Sequence, residues 1–504
     1  MADTVNTNQN NEFYTPGAFI LEEASITNFD NSIKIPLDLN HFSEISIVED
    51  IYTSNIRGYI DIIDKECWIE RLPIIGEEYM LLRFRVPNRG KDCSIVLNKL
   101  RVYKITDRVA SGVRMGKVET YRLHFISQET ISSFNQSVSR SFSEQTVDSI
   151  VKSVWNDYVT PISEEEAGKK KCVIESTSGK VNFIAPNWTP FKVINWLAEN
   201  MAIDSKGNAD FVFYEATDKS KGSSYNFKSL ESLMQQDPTY TLMFSPQNLS
   251  LPGREGYRNK STSQFNVEEI IYDTNSNVLD NTLSGQYYQY WIFHDILRKK
   301  FVVSKFSHEE DYLKQHGESK NGKHKFYGNR VKSEAKPLQF MRMPGNVNTF
   351  PKKVSKTKAI NNDTASTAEA ATGRKTVDYI SKRESTRNLE TSDMNSQVSY
   401  AREFKFQQMK NYELFLDNIP GTDEIQLGKM IKLVKPHVTH DPELFSKQIG
   451  SEEDRYLSGN YLVTRIEHVL RFDGDQAAWR YRIAINAARD YLNNKVEFKD
   501  LKSE

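Results

Sequence analysis

Along residues 18–128, apolar and polar side chains alternate with a period of two. Tyr121, Leu123 and Phe125 alternate with Arg122 and His124, and Leu82, Phe84 and Val86 alternate with Arg83 and Arg85. Such alternation sets one face of a strand on a core and the other towards water. Leu100 to Ile105 reads as another strand, and Tyr59, Ile60, Ile62 and Ile63 form a short apolar run after Gly58. Asn88-Arg89-Gly90, and Ser111-Gly112 with Gly116, supply turns between them. The preceding residues, 1–17, are polar and are expected to be disordered.

The period then changes. Val147, Ile150, Val151, Val154 and Trp155 fall at i, i+3, i+4, i+7 and i+8, one face of a helix. Ser143 is the expected cap, with Glu144 in the first turn where the helix dipole favours it. Thr189-Pro190 marks a second helix, a Thr cap followed by Pro at the first helical position, with Ile194, Leu197, Ala198 and Met201 on its apolar face. Phe211 to Tyr214 reads as a buried strand. Residues 129–236 are therefore expected to form a mixed α/β domain.

Residues 237–351 are read as a β-rich continuation of that domain, a candidate source of a strand for the last module. Tyr240 to Phe244 and Glu268 to Tyr272 look like strands, whereas aromatic-rich Tyr287 to Lys300 fits strand or helix. Residues 352–395 turn to Thr, Ser, Ala, Asn and Lys, the composition of a linker or long surface loop. Order returns with Phe404 and Phe406, and β patterning runs to about 487, giving a last module over 396–492 and a tail over 493–504.

The first and last modules resemble each other. Leu72-Pro73-Ile74-Ile75-Gly76 before Tyr79 matches Ile419-Pro420-Gly421 before Leu427-Gly428 and Met430-Ile431. Lys104-Ile105 with Val109 matches Arg465-Ile466 with Val469, and Tyr121 to Phe125 matches Trp479 to Ile485. The spacings differ mainly by an insertion at 436–458. The expected fold class is thus α+β and β-rich, with two similar small antiparallel β-barrels flanking a mixed α/β middle region. Three such chains in a ring would present six similar modules.

Composition narrows the function classes. With 504 residues the chain has room for roughly three domains. Its 66 basic and 67 acidic residues leave a net charge of −1, which gives no electrostatic footprint for nucleic acid as the main ligand. Three cysteines, Cys67, Cys93 and Cys172, without a C-x-x-C, speak against a disulfide framework or a structural zinc site. No apolar leader segment and no run long enough to span a membrane is visible.

The chemistry-bearing motifs are weak. Gly317 to Lys323 matches most of a phosphate-binding loop, but His324 stands where Ser or Thr must hold Mg²⁺, and no apolar strand precedes it. His437, His440 and Asp441 could bind a metal, yet Pro436 and Pro442 point to an irregular loop. His308 to Asp311 and the basic run from Lys320 to Lys336 read as solvated surface. No pair of carboxylates stands out as a glycosidase pair would, and Trp68, Trp188, Trp196 and Trp479 are expected as core or interface anchors. No catalytic, cofactor-binding or metal-binding residue is assigned, no cofactor is expected, and the chain is read as not an enzyme.

Several stretches resemble the baseplate hub proteins of contractile-tailed bacteriophages, relatives of the N-terminal part of VgrG-type spikes. They are Ile47 to Tyr52 with Ile56 to Ile62, Ile126 to Glu129 with Ser139 to Phe142, Asn182 to Phe191 with Trp196 to Ala198, and Gly459 to Thr464 with Ile466 and His468. The resemblance spans about 18–240 and 400–490, and the 352–393 segment has no counterpart in it. It implies a homotrimer whose two barrels per subunit make a pseudo-sixfold ring between tail tube and central spike. It also implies a channel for tape measure protein and DNA, without sequence-specific DNA binding. The implied partners are a separate spike protein, a tail tube or tube-initiator protein, the tape measure protein and baseplate wedge proteins. The implied location is the virion tail baseplate, after synthesis in the host cytoplasm. Two alternatives stay open: a tail-associated cell-wall hydrolase, and the spike of another contractile injection system. Such a spike is expected to continue into a β-helix, whereas this sequence ends at Glu504.

Overall fold

The computed structural model describes residues 17–30, 32–72, 74–87, 94–113, 116–159, 170–218, 222–244, 265–272, 288–295, 300–307, 338–342, 402–436, 453–454, 456–473 and 478–490. The two-residue period at the start of the chain becomes seven strands: β1 (Ile20–Thr27), β2 (Lys34–Pro36), β3 (Phe42–Asp50), β4 (Arg57–Asp64), β5 (Tyr79–Arg85), β6 (Ser94–Val113) and β7 (Gly116–Ser127). A single helical turn, α1 (Trp68–Arg71), lies between β4 and β5. The strands pair in the order β2-β1-β5-β6-β7-β4-β3, every neighbour antiparallel. In β5, Met80, Leu82 and Phe84 are buried and the residues between them are half-buried, as the alternation requires. The turn predicted near Ser111-Gly112 and Gly116 is the head of the β6–β7 hairpin, where Val113 faces Gly116.

The middle of the chain mixes helices and strands around a second core: α2 (Gln128–Phe134), β8 (Val138–Gln145), α3 (Val147–Val154), β9 (Cys172–Ile174), β10 (Val181–Trp188), α4 (Pro190–Asn200), β11 (Phe211–Asp218), β12 (Gly222–Ser229) and α5 (Leu230–Met234). Thr189 sits at the N-cap of α4 with Pro190 at the first turn, as expected. The cap of α3 differs from the sequence expectation. Ser143 lies inside β8, which stays paired with β10 as far as Gln145, and Ser143 Oγ is 3.1 Å from Asn182 Oδ1. Thr146 takes the N-cap position, and the Asp148 amide donates to Thr177 Oγ1 at 3.0 Å, so a distant residue satisfies the helix start. Buried Trp155 opens a π turn over 155–159 and lies 4.7 Å from Tyr225, ring to ring.

The run Phe211 to Ala216 is buried throughout because β11 is a wall between two cores. Phe211 and Phe213 join the middle core, whereas Val212, Tyr214 and Ala216 join the core of the large sheet.

Three short strands follow, β13 (Tyr240–Phe244), β14 (Asn266–Val267) and β15 (Glu269–Tyr272). Next come β16 (Tyr288–Asp295), β17 (Lys300–Ser307) and β18 (Leu338–Arg342), a separate sheet in the order β17-β16-β18. The ambiguous aromatic run is thus a strand over 288–295, laddered on both sides. The β patterning expected from Phe404 onward begins later, because 402–411 is a helix, α6. Its buried residues are Phe404, Lys405, Gln408 and Met409, a helical stripe, while Phe406 is only half-buried. Two aromatic residues two apart therefore imitated a strand period.

The chain closes with β19 (Leu414–Pro420), β20 (Met430–Val434), β21 (Gly459–Asp473) and β22 (Ala478–Ala488). The fold is β-rich with few helices, dominated by one large, mainly antiparallel sheet of 14 strands.

Candidate functional site

The late strands pair in the order β14-β13-β20-β21-β22-β19-β15. Taken in chain order, these seven strands repeat the pairing scheme of the first seven. One difference is direction: β13 runs parallel to β20 and β14, where β1 runs antiparallel to β5 and β2. One irregularity coincides as well, although the β6–β7 ladder slips a second time, between Thr106 and Val109, where β21–β22 does not. The β6–β7 ladder slips between Val102 and Lys104, and the β21–β22 ladder slips between Val463 and Arg465. In both, the slip precedes the basic residue and Ile that the sequence comparison aligned, and a bulge of this kind fixes register.

The two sets meet through β21. Its first residues pair with β20, and Arg465 to Arg471 pair antiparallel with Asp50 to Glu44 of β3. A buried polar network crosses this joint. His468 Nδ1 lies 2.7 Å from the Tyr481 hydroxyl, and His468 Nε2 lies 3.2 Å from Glu49 Oε1. Glu49 also accepts from the Thr217 amide at 2.9 Å and hydroxyl at 2.8 Å. The network therefore ties β22, β21, β3 and β11 together. Burial, with the nearby Asp423 and Glu49 carboxyls, pushes the Tyr481 phenol well above its ordinary pKa. A cavity of about 10 Å³ beside Thr217, Asp423 and His468 has room for about one water.

Two further ionic clusters hold the middle segment. Glu215 on β11 accepts from Lys170 at 2.7 Å, Ser223 at 2.5 Å, the Ile56 amide at 3.1 Å and the Ser127 hydroxyl. Burial opposes ionisation of Glu215, yet Lys170 and the two serines outweigh it and hold the carboxyl below its usual range. Lys405 on α6 pairs with Glu231 at 2.6 Å and with Asp490. Asp210 accepts from the Glu231 amide at 2.9 Å, and burial pushes its carboxyl up to about 7. Each of these carboxyls faces protein donors, so the clusters fix elements against one another.

Two strand margins differ from this closed interior. The half of β21 beyond its bulge is flanked by β22 and β3, whereas the matching half of β6, Lys104 to Ala110, has β7 alone beside it among the described residues. There β15, the counterpart of β3, pairs with β19 alone among the described residues. Val109 on β6 is 57% exposed, and Ile271 and Tyr272 on β15 are 45% and 37% exposed.

The weak motifs fall elsewhere. The 317–323 loop, the 308–311 and 320–336 charge runs and the 437–441 histidines lie outside the described residues. Among the described residues no group of three or more His, Cys, Asp or Glu converges as metal ligands would, and no helix is long and apolar enough to cross a membrane. Trp68 and Trp479 pack on the core of the large sheet, and Trp188 and Trp196 on the middle core. Sequence reasoning did not find Glu49, Glu215, Lys170 or Lys405, since each is buried beside partners far away in the chain.

No protein-family model matches the chain, and no curated protein matches it. Among solved structures it resembles a tail protein from Neisseria meningitidis, with 8% identity and a TM-score of 0.46 over 93% of this chain and 96% of that one. It resembles the 43 kDa tail protein of prophage MuSo2 from Shewanella oneidensis, with 10% identity and a TM-score of 0.42 over 93% and 98%. It also resembles an E. coli component of the type VI secretion system, itself described as similar to tail proteins of bacteriophage T4, with 9% identity and a TM-score of 0.39 over 94% and 78%.

Proposed function

We propose that this chain is the structural baseplate hub of a contractile phage tail. In this reading three copies form a pseudo-sixfold ring that joins the tail tube to a separate central spike. The ring leaves a channel for tape measure protein and DNA, and wedge proteins dock around it. The observation that carries the reading is the repeated pairing order of two seven-strand sets within one chain. A duplicated module is the simplest way for a threefold assembly to meet a sixfold one.

Each set is read as a small barrel, one over 18–128 and one over 396–492 completed by β13 to β15 from the 237–351 segment. What supports this for the second set is that β14 pairs with β13 while the next strand, β15, pairs with β19 at the far end of the set. The middle domain, 129–236, is clamped to the first set through Glu49–Thr217 and the Glu215 cluster, and to α6 of the last module through Glu231–Lys405. The role is passive: interfaces and symmetry perform it, and no catalytic residue is assigned.

Native mass spectrometry and negative-stain imaging of the full chain test the reading. The expected result is a trimer with six similar lobes around an open centre. A monomer that persists at concentrations well above those of an obligate assembly overturns it. A peptidoglycan zymogram is expected to show no clearing.

A further inference from the structure

We propose that β15 of one copy adds to the free half of β6 of the next copy, so that the β3–β21 joint inside the chain is repeated between chains. The inference rests on the reading of the chain as a ring-forming scaffold and names the strands that close the ring.

In the scheme shared by the two sets, β3 corresponds to β15, and β6 corresponds to β21. Within the chain β3 lies against the distal half of β21. That contact uses the terminal strand of the first set and the middle strand of the second. It leaves the terminal strand of the second set and the middle strand of the first without the equivalent neighbour among the described residues. The two unused margins lie on different modules, so one chain cannot satisfy both by itself. A head-to-tail contact between copies satisfies both and either closes into a ring or grows without end.

The register follows from the ladders. Ile60 and Leu416 occupy matching places, opposite Leu123 and Ile485. Ile45 faces Ile60 and Ile270 faces Leu416, so Ile270 matches Ile45 and Ile271 matches Ser46. Ser46 faces Val469 across the joint. Val469 in turn faces Arg482, and Val109 faces Thr120, the residue matching Arg482. Val109 is therefore the match of Val469, reached across a bulge between Thr106 and Val109 that β21 lacks, and the contact between copies sets Ile271 opposite Val109. Both are large apolar side chains in strands with a margin left unpaired among the described residues, 45% and 57% exposed. Side chains that face each other across an antiparallel ladder stand about 5 Å apart, and an exposed apolar strand edge is a template for another chain. The internal joint has the same position filled by Ser46 and Val469, flanked by a Ser46–Glu467 hydrogen bond at 3.0 Å and an Arg471–Glu44 pair at 3.5 Å.

The test is cross-linking of the full chain. A V109C/I271C variant treated with a short bismaleimide is expected to give covalent multimers, well above the level in wild type or in V109C or I271C alone. A V109K variant is expected to dissociate the assembly at least tenfold more readily while each chain keeps its folded secondary structure by circular dichroism, since Val109 is more than half exposed. If wild type is an oligomer, yet the double variant cross-links no more than the single ones and V109K stays assembled, other strands form the interface. That outcome sinks this inference and leaves the ring intact. A wild-type monomer overturns both.

Discussion

Glu49 is the residue on which most of the joint converges. Its carboxyl is fully buried and meets His468, the Thr217 hydroxyl and the Thr217 amide. Glu49→Ala removes the partner of all three groups, so the expected loss is on the order of 2–4 kcal/mol in urea unfolding. Equal stability of the two proteins would show that the network is decorative. Asp210 gives a pH signature. Its carboxyl is raised from 3.8 to about 7 by burial, with Lys405 opposing and Glu231 adding to the rise. A carboxyl raised in this way stays protonated in the fold when the unfolded chain has already lost its proton. Its contribution is fully present below pH 3.8 and fades as pH rises through about 7. Asp210→Asn keeps an acceptor for the Glu231 amide and cannot ionise. It is expected to raise stability relative to wild type at pH 8, by about 1 kcal/mol or more, and to change little at pH 4. An unchanged difference between the two pH values would contradict the assignment.

At the scale of elements, the end of β19 shows how close the ladders approach. A Cβ on Gly421 would stand 1.9 Å from the ring of Tyr481, which is buried and bonded to His468, while the Gly421 amide donates to the Tyr481 carbonyl at 2.9 Å. Gly421→Ala must move either the ring or the strand, so a loss of about 1–3 kcal/mol is expected, with a lower thermal midpoint as the readout. The strands themselves were legible wherever one face is wet, as in β5 and β7, because local alternation encodes burial. The α4 start was legible because Thr189 and Pro190 carry their signal in two adjacent residues. The α3 cap was not, since it depends on Thr177, and α6 was not, since its stripe includes the buried Lys405, whose partners Glu231 and Asp490 are distant in sequence. The margins of the candidate interface were half legible. The sequence comparison had already aligned Val109 with Val469. That Val469 has a second strand beside it, and Val109 among the described residues does not, is a property of pairings between residues hundreds of positions apart.

At the scale of the whole molecule, the direction of the contact between copies has a consequence that distinguishes it from a symmetric dimer. A ring closed by β15 against β6 uses two different surfaces on every copy, so each can be blocked separately. A V109K chain keeps its β15 margin, and an I271K chain keeps its β6 margin. Alone, each is expected to be monomeric at concentrations where the weakened contact no longer holds but wild type stays assembled, because every contact it could make includes one blocked partner. Mixed in equal amounts, the β15 margin of the V109K chain can still meet the β6 margin of the I271K chain. The pair so formed has two blocked ends and cannot grow. The expected native mass is therefore that of one chain of each kind, with no larger species at any mixing ratio. An interface made of one patch meeting itself behaves differently, since mixing two blocked patches restores nothing. Recovery of the full wild-type assembly on mixing would also be incompatible with the head-to-tail contact, because closing the ring requires every β6 margin to be free.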